Sequence, residues 1–336
     1  MPFRIIRDDI TKVEADVIVN TANPYPMIGR GTDSAVYAAA GVEALLAERR
    51  KIGEIEPGGA AATPAFALKA RYIIHTVGPS WEGGESGERG ILSACYRNTL
   101  ALAAELKAES IAFPLIATGI YGFPKDEALS IALSEINRFL LAHEMDVILA
   151  VFDRKSFELS GRLAGKIDEY IDEHSVGIRR ESEYGDVWPD RLQGRGGAAG
   201  NGYSAAFPEA EGKSLDEVLG SAGETFQQRL LRLIRESGMD DVTVYKKANI
   251  DRKVFSSIRR NVNYRPKKRT AVAFAIALEL DMPAMLDLLS RAEIAMSPSS
   301  RFDLIIRYCV THGIYDIFEI NAALFQYAQP LLGTEE

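Results

Sequence analysis

Residues 17–33 read VIVNTANPYPMIGRGTD, and the eight residues after them, SAVYAAAG, carry small side chains suited to a closely packed helix. The run ADVIV at 15–19 is apolar apart from Asp16 and suits a strand covered on both faces. Gly29 and Gly31 then stand just ahead of a helix start. Backbone N–H groups at such a place can approach an anion closely, and the helix dipole favours negative charge. A second stretch has the same design. Residues 111–124, IAFPLIATGIYGFP, run from an apolar strand through Gly119 and Gly122 into a helix that opens at Lys125. Glycine loops before helices are also found as plain turns, so either loop alone says little about a ligand.

Outward from these two loops, strands and helices alternate. The expected strands are Arg4–Arg7, Val17–Asn20, Tyr72–Thr76, Ser110–Leu115 and Val147–Phe152. The expected helices are Ser34–Lys51, Gly90–Ala108, Lys125–Ala142 and Ser156–Glu173. Alternation of this kind predicts an α/β sandwich with a largely parallel central sheet. In open sheets of that type, ligands bind beyond the carboxyl ends of the strands, where both glycine loops would lie.

The chain has 336 residues, 47% of them hydrophobic and 26% charged, which fits a globular protein of two domains. No apolar run reaches the roughly 18 residues that a membrane span needs. Charges in MPFRIIRDDITK fall where a signal peptide needs its apolar core, so export is not expected. Two distant cysteines, Cys95 and Cys309, make no disulfide framework and fit a reducing cytoplasm. Only four histidines are present, and a three-histidine zinc site is not expected.

Composition changes near residue 175. Residues 175–213 hold eight of the 28 glycines and show no sustained period, as a flexible linker would. They separate residues 1–174, with 18 basic and 25 acidic side chains, from an all-helical half at 214–336 with 16 of each. Within the second half, Lys246–Arg269 carries ten bases against one acid, Asp251. Overall acidity argues against nucleic-acid binding by the whole chain, but not by this segment.

The order of short motifs in the first half resembles the macro domain. They are Asp9-Ile10-Thr11, VIVNTAN at 17–23, GRGTD at 29–33, AAG at 39–41, YIIHTVGP at 72–79, SACYRN at 93–98 and IAFPLIATGIYGFP at 111–124. The resemblance is nearest to the MacroD-type class, which implies a three-layer sandwich that binds ADP-ribose and hydrolyses its esters. It implies adenine recognition by Asp9 and the backbone of Ile10, with Phe152 stacking on the ring. The diphosphate would lie between Gly29-Arg30-Gly31 and Thr118-Gly119-Ile120-Tyr121-Gly122. Tyr121 and Phe123 would enclose the distal ribose, and Asn20 belongs to the same substrate loop. Asn23 would hold the ribose hydroxyls. Asp33 would orient or activate water, although an aspartate there also suits a helix N-cap. His75 would be structural, and Cys95 reads as a small buried residue.

Two departures stand out. The class often has four consecutive glycines where this chain reads Ile28-Gly29-Arg30-Gly31, and Tyr37 stands four residues past the aspartate, where histidine is common. The cysteine and histidine ligands of the zinc-dependent subclass are not present around this loop, so no metal and no cofactor is expected. The partner implied is ADP-ribose or an ADP-ribosylated protein. The alternatives are a non-catalytic ADP-ribose reader and an ADP-ribose-responsive DNA-binding regulator.

The second half resembles the five-helix DNA-binding domain of phage-type repressors, with a helix-turn-helix at Val242–Arg260. Phe226, Leu230, Leu231 and Ile234 make a first apolar helix face ended by Gly238. Asn249 suits a left-handed turn, and Asp251 suits an N-cap for Arg252–Arg260. The resemblance implies candidate DNA contacts at Lys246, Lys247, Arg252, Lys253, Ser256, Ser257, Arg259 and Arg260. A solvated basic face, or a face that grips the acidic first half, would use the same residues. Beyond it, two further helices are expected at Arg301–Gly313 and Asp316–Tyr327.

Overall fold

The computed structural model describes residues 3–152, 163–172 and 223–333. The expected linker at 175–213 lies outside them, as does the first part of the helix expected at Ser156–Glu173. Six strands form one sheet: β1 Phe3–Arg7, β2 Val17–Thr21, β3 Ala60–Pro64, β4 Tyr72–Thr76, β5 Ser110–Phe113 and β6 Asp146–Val151, in the order β1-β6-β5-β2-β4-β3. Every pairing is parallel except that of β3 with β4. Strand β3 was not expected. Its sequence, AAATP, has neither β-branched alternation nor bulk, and its pairing along β4 holds it in place.

The sheet separates two apolar layers because successive strand residues point to opposite faces. Val17, Val19, Ile111, Phe113, Val147 and Leu149 pack with α3 (Glu88–Glu105) and α4 (Lys125–Ala142). Ile18, Ile73, Ala112 and Ile148 pack with α1 (Thr32–Ala40) and α2 (Val42–Ile52). The single helix expected at Ser34–Lys51 is therefore two helices. They break at Gly41, whose φ of 104° no helical residue adopts. Helix α4 has its expected bounds, with Pro124 ahead of it and Asp126 and Glu127 in its first turn.

Helix α5 spans 163–172. The second half holds α6 Phe226–Ser237, α7 Asp241–Lys247, α8 Arg252–Arg260, α9 Lys268–Ala277, α10 Met282–Ser290, α11 Arg301–Thr311 and α12 Ile317–Gln326. Local signals explain most of the boundaries. Thr225 and Gln228 form a capping box before α6, and Gly238 ends it in the left-handed region. Asp240, Asp251, Asp281, Ser300 and Asp316 each cap the following helix through a side-chain oxygen. Helix α9 is buried from Thr270 through Ala277 and forms the centre of this half.

The two halves share one continuous core. Asn249, at φ 53°, receives the Phe3 N–H at 3.0 Å and donates to the Phe3 carbonyl at 2.8 Å. A side-chain amide thus pairs with edge strand β1 as another strand would. The Phe3 ring lies 4.6 Å from that of Phe318, and the Arg7 guanidinium lies 5.3 Å over Phe325. Tyr245 donates to Glu144, and Lys246 donates to the carbonyls of Leu141 and His143 at the end of α4. A cation there complements the negative end of the helix.

Candidate functional site

Four loops leave the carboxyl ends of parallel strands and enclose one cleft of about 750 Å³. Asp8–Ile10 follows β1, residues 21–33 follow β2, residues 114–121 follow β5, and Phe152 follows β6. At one end of the cleft, Asp9 Oδ1 accepts the N–H and the hydroxyl of Thr11, which fixes the carboxylate beside Ile10. Phe152 is 73% exposed at this end, so its ring is a free apolar face rather than core packing.

At the other end, Asn23 and Asp33 converge on Gly29. The Gly29 N–H donates to Asp33 Oδ2 at 2.5 Å, and Asn23 Nδ2 donates to the Met27 carbonyl. A Cβ on Gly29 would stand 2.8 Å from Asn23 Nδ2 and 3.2 Å from Asp33 Oδ2, so a side chain there would push on both groups. Gly31 adopts φ 66° as the residue before α1. Ile28 and Arg30 have ordinary φ values and exposed side chains. Of the two glycines kept in this loop, Gly31 is the one whose backbone conformation calls for glycine. Asp33 lies in the first turn of α1 and does not cap it, because its oxygens are turned to Gly29 and Asn20.

Asp33 is 3% exposed, and burial raises its pKa above the ordinary 3.8. The Gly29 N–H, the Asn20 amide and the charge of Arg49 each oppose that rise. Arg49 itself is buried. It donates to the carbonyls of Asn23, Pro24 and Gly53, tying α2 to the loop that carries Asn23. Nothing in the local sequence marked this role, since an arginine in a charged helix stretch reads as a solvated face.

The loop after β5 brings Thr118, Gly119, Ile120 and Tyr121 to the opposite wall. Ala117 takes φ 65°, unusual for a side-chain-bearing residue, and Gly78 lies against it with no room for a Cβ at ordinary separation. Gly78 and Lys125 both line the cleft, although neither was a sequence candidate.

Three expected contacts are corrected. Asn20 is fully buried beneath Asp33 and does not line the cleft. Phe123 is 2% exposed and packs edge-on against Trp81, 4.7 Å between centroids, on the core side of the loop. Gly122, at φ 66°, closes a turn by donating to the Gly119 carbonyl and stands outside the wall.

The basic residues of the second half divide. Lys246 is turned onto α4, Lys247 pairs with Glu279, and Arg259 pairs with Asp241. Arg252, Lys253, Ser257 and Arg260 are exposed, and Ser256 is half-buried. Among the described residues there is no group of three or more histidine, cysteine, aspartate or glutamate side chains that could hold a metal ion, and no helix long and apolar enough to cross a membrane.

The family match lies in the half that contains the cleft. A family model described as Macro domain matches residues 19–132. A Cronobacter sakazakii protein called O-acetyl-ADP-ribose deacetylase is 44% identical over 173 residues, 50% of this chain and 96% of that protein. A macro domain-containing protein of Methanosarcina mazei is 43% identical over 167 residues, 49% of this chain and 89% of that protein. The solved structure of the Oceanobacillus iheyensis macrodomain with ADP is 38% identical, covers 46% of this chain and 85% of its own, and has a TM-score of 0.44. With relatives this similar matched over nearly their whole length, the chain belongs to the macro-domain family.

Proposed function

We propose that the cleft binds ADP-ribose and hydrolyses an ester on its distal ribose, as in O-acetyl-ADP-ribose or a protein ADP-ribosylated on an acidic side chain. The observation that carries this reading is a buried carboxylate, Asp33, fixed by two donors beside Asn23 at the end of the cleft away from Phe152. The similarity to proteins called O-acetyl-ADP-ribose deacetylase supports it.

In this reading the adenine lies between Asp9, Ile10 and Phe152, with Asp9 accepting from the exocyclic amine. Backbone N–H groups of the two glycine loops receive the diphosphate at the start of α1 and along residues 118–121. Asn23 holds the ribose hydroxyls. Asp33 accepts a proton from water as the water oxygen bonds to the acyl carbon, and gives it to the ribose oxygen as the acyl C–O bond breaks, which releases a carboxylic acid and a ribose hydroxyl. The raised pKa makes Asp33 a better base than an exposed aspartate, and position does the rest. The test is incubation of the full chain with O-acetyl-ADP-ribose and with an Asp/Glu-ADP-ribosylated protein, products being identified by mass spectrometry. Tight binding without product from either substrate would mean a reader rather than an enzyme.

A second reading concerns the helical half. Helix α8 follows α7 through a tight turn at Asn249 and exposes Arg252, Lys253, Ser257 and Arg260. That face suits the phosphates and base edges of duplex DNA in the manner of a helix-turn-helix. Electrophoretic shift of duplex DNA by the full chain across a salt series tests it.

A further inference from the structure

We propose that Asn20, His75 and Thr63 form a buried hydrogen-bonded row whose task is to position the Asp33 carboxylate, with His75 held as the neutral tautomer protonated on Nε2. The proposal rests on the hydrolase reading for its kinetic consequence and on geometry for the row itself.

The sheet builds the row. Asn20 on β2 is the direct partner of His75 on β4, and Thr63 on the antiparallel edge strand β3 lies diagonally beside His75 on the same face. All three are buried, Asn20 and His75 completely, under α1. Asn20 Nδ2 lies 2.6 Å from Asp33 Oδ1 and 3.2 Å from His75 Nδ1. His75 Nε2 lies 3.0 Å from Thr63 Oγ1.

These distances fix the protons. An amide nitrogen has two hydrogens and no acceptor capacity. One hydrogen goes to the carboxylate, so the other points at Nδ1, which must present a lone pair. The single ring proton is then on Nε2 and is donated to Thr63. Turning the Asn20 amide over would set its oxygen against the Asp33 carboxylate, a repulsive contact. The observed orientation leaves Asn20 Oδ1 buried with no hydrogen-bond partner among the described residues. An orphaned buried acceptor calls for a reason, and the demand of two acceptors for the amide hydrogens supplies one. A charged imidazolium would put an N–H against the amide N–H and break the row. Burial and the nearby Arg49 hold His75 down to about 3, so the ring stays neutral throughout the working range.

Each Asp33 oxygen is thereby held by one donor, Oδ1 by Asn20 and Oδ2 by Gly29. Only the Gly29 contact reads as part of the ligand loop. The Asn20 contact is anchored in the sheet, since Asn20 lies on β2. His75 and Thr63 are not among the residues that line the cleft, and they reach the carboxylate through Asn20.

The test is kinetic and spectroscopic on the full chain. His75→Leu removes the acceptor for Asn20, and His75→Asn restores an acceptor near the Nδ1 position. Hydrolysis of O-acetyl-ADP-ribose by the leucine variant should show kcat lower by roughly ten- to a hundredfold with KM within about twofold, because misplacement of the base affects the transition state and not ligand binding. His75→Asn should recover most of the loss. Nitrogen-15 NMR of histidine-labelled protein should show one imidazole protonated on Nε2 alone and not titrating between about pH 5 and pH 8. Unchanged kcat in His75→Leu, failure of His75→Asn to recover, or a His75 ring that titrates or carries its proton on Nδ1 would overturn the proposal. Wild-type protein that turns over neither substrate overturns the hydrolase reading and with it the kinetic role. The imidazole spectrum still decides the row, also for a leucine variant that does not fold.

Discussion

Replacing Asp33 by alanine separates its chemical role from its structural one. The carboxylate accepts from the Gly29 N–H at 2.5 Å and from Asn20 Nδ2 at 2.6 Å. Alanine leaves both donors without an acceptor. A buried unpaired donor costs about 1–3 kcal/mol. Asn20 is fully buried and takes the full cost, whereas Gly29 is half-buried and within reach of water. Against this stands the cost of holding an ionised carboxylate in the interior, visible as a pKa raised by burial. Removing the carboxylate relieves that cost at neutral pH. The net loss of stability should be about 1–2 kcal/mol, or roughly 2–8 °C in Tm for a unit of this size. The loss in catalysis should be far larger. A positioned acid–base group contributes about 10²–10⁴ in rate, so hydrolysis of O-acetyl-ADP-ribose should fall by at least about 10²-fold. Affinity for ADP-ribose, measured by calorimetry on the same protein, should stay within about tenfold, because the proposed adenine and diphosphate contacts lie elsewhere in the cleft. Intact binding together with unchanged turnover would refute the reasoning and leave Asp33 as a structural anchor for the Gly29 loop.

Four further expectations follow from the same coordinates. The raised pKa of Asp33 requires that kcat/KM fall as pH drops through a value above 3.8; in that same window, down to 3.8, folding stability should instead rise as pH falls, because the native state binds the extra proton, and denaturant titrations across pH should lose this trend in Asp33→Ala. Gly119→Glu should abolish ADP-ribose binding by calorimetry while leaving Tm nearly unchanged, since its Cβ would meet open space and only the ligand would meet the new charge. Asn249→Ala removes both hydrogen bonds to buried Phe3 and places alanine at φ 53°, so urea unfolding should show a loss of roughly 2–4 kcal/mol. If α8 contacts DNA phosphates, the triple variant Arg252→Ala, Lys253→Ala, Arg260→Ala should lower the slope of log K against log salt by about 2.7 for the full chain, and a wild-type chain that never shifts DNA even at low salt refutes that reading.

Much of the architecture was legible in the sequence, because local signals there agree with the global fold. Continuous apolar runs at 17–20, 72–76, 110–113 and 147–151 dictate buried parallel strands. Asp251 sets a helix start by a hydrogen bond that spans only two residues. The two glycine loops were visible for the same reason, whereas Asp9 and Asp33 were marked by the resemblance to the macro domain. What the sequence alone did not decide depends on partners distant along the chain. Strand β3 has a weak local preference and exists through its pairing with β4. Asn20 belongs to the motif of the ligand loop, yet its place on a strand beneath α1 turns it away from the cleft and toward Asp33 and His75. Arg49 and Lys246 sit in stretches that read as solvated charge. Tertiary packing buries the first under the Asn23 loop and sets the second on the end of α4. The docking of the helical half on β1 likewise rests on Asn249 meeting Phe3 across 246 positions of sequence. Periodicity and capping act within a few residues and can be read in one dimension, whereas the partner of a buried polar group is chosen only when the sheet and helices close around it.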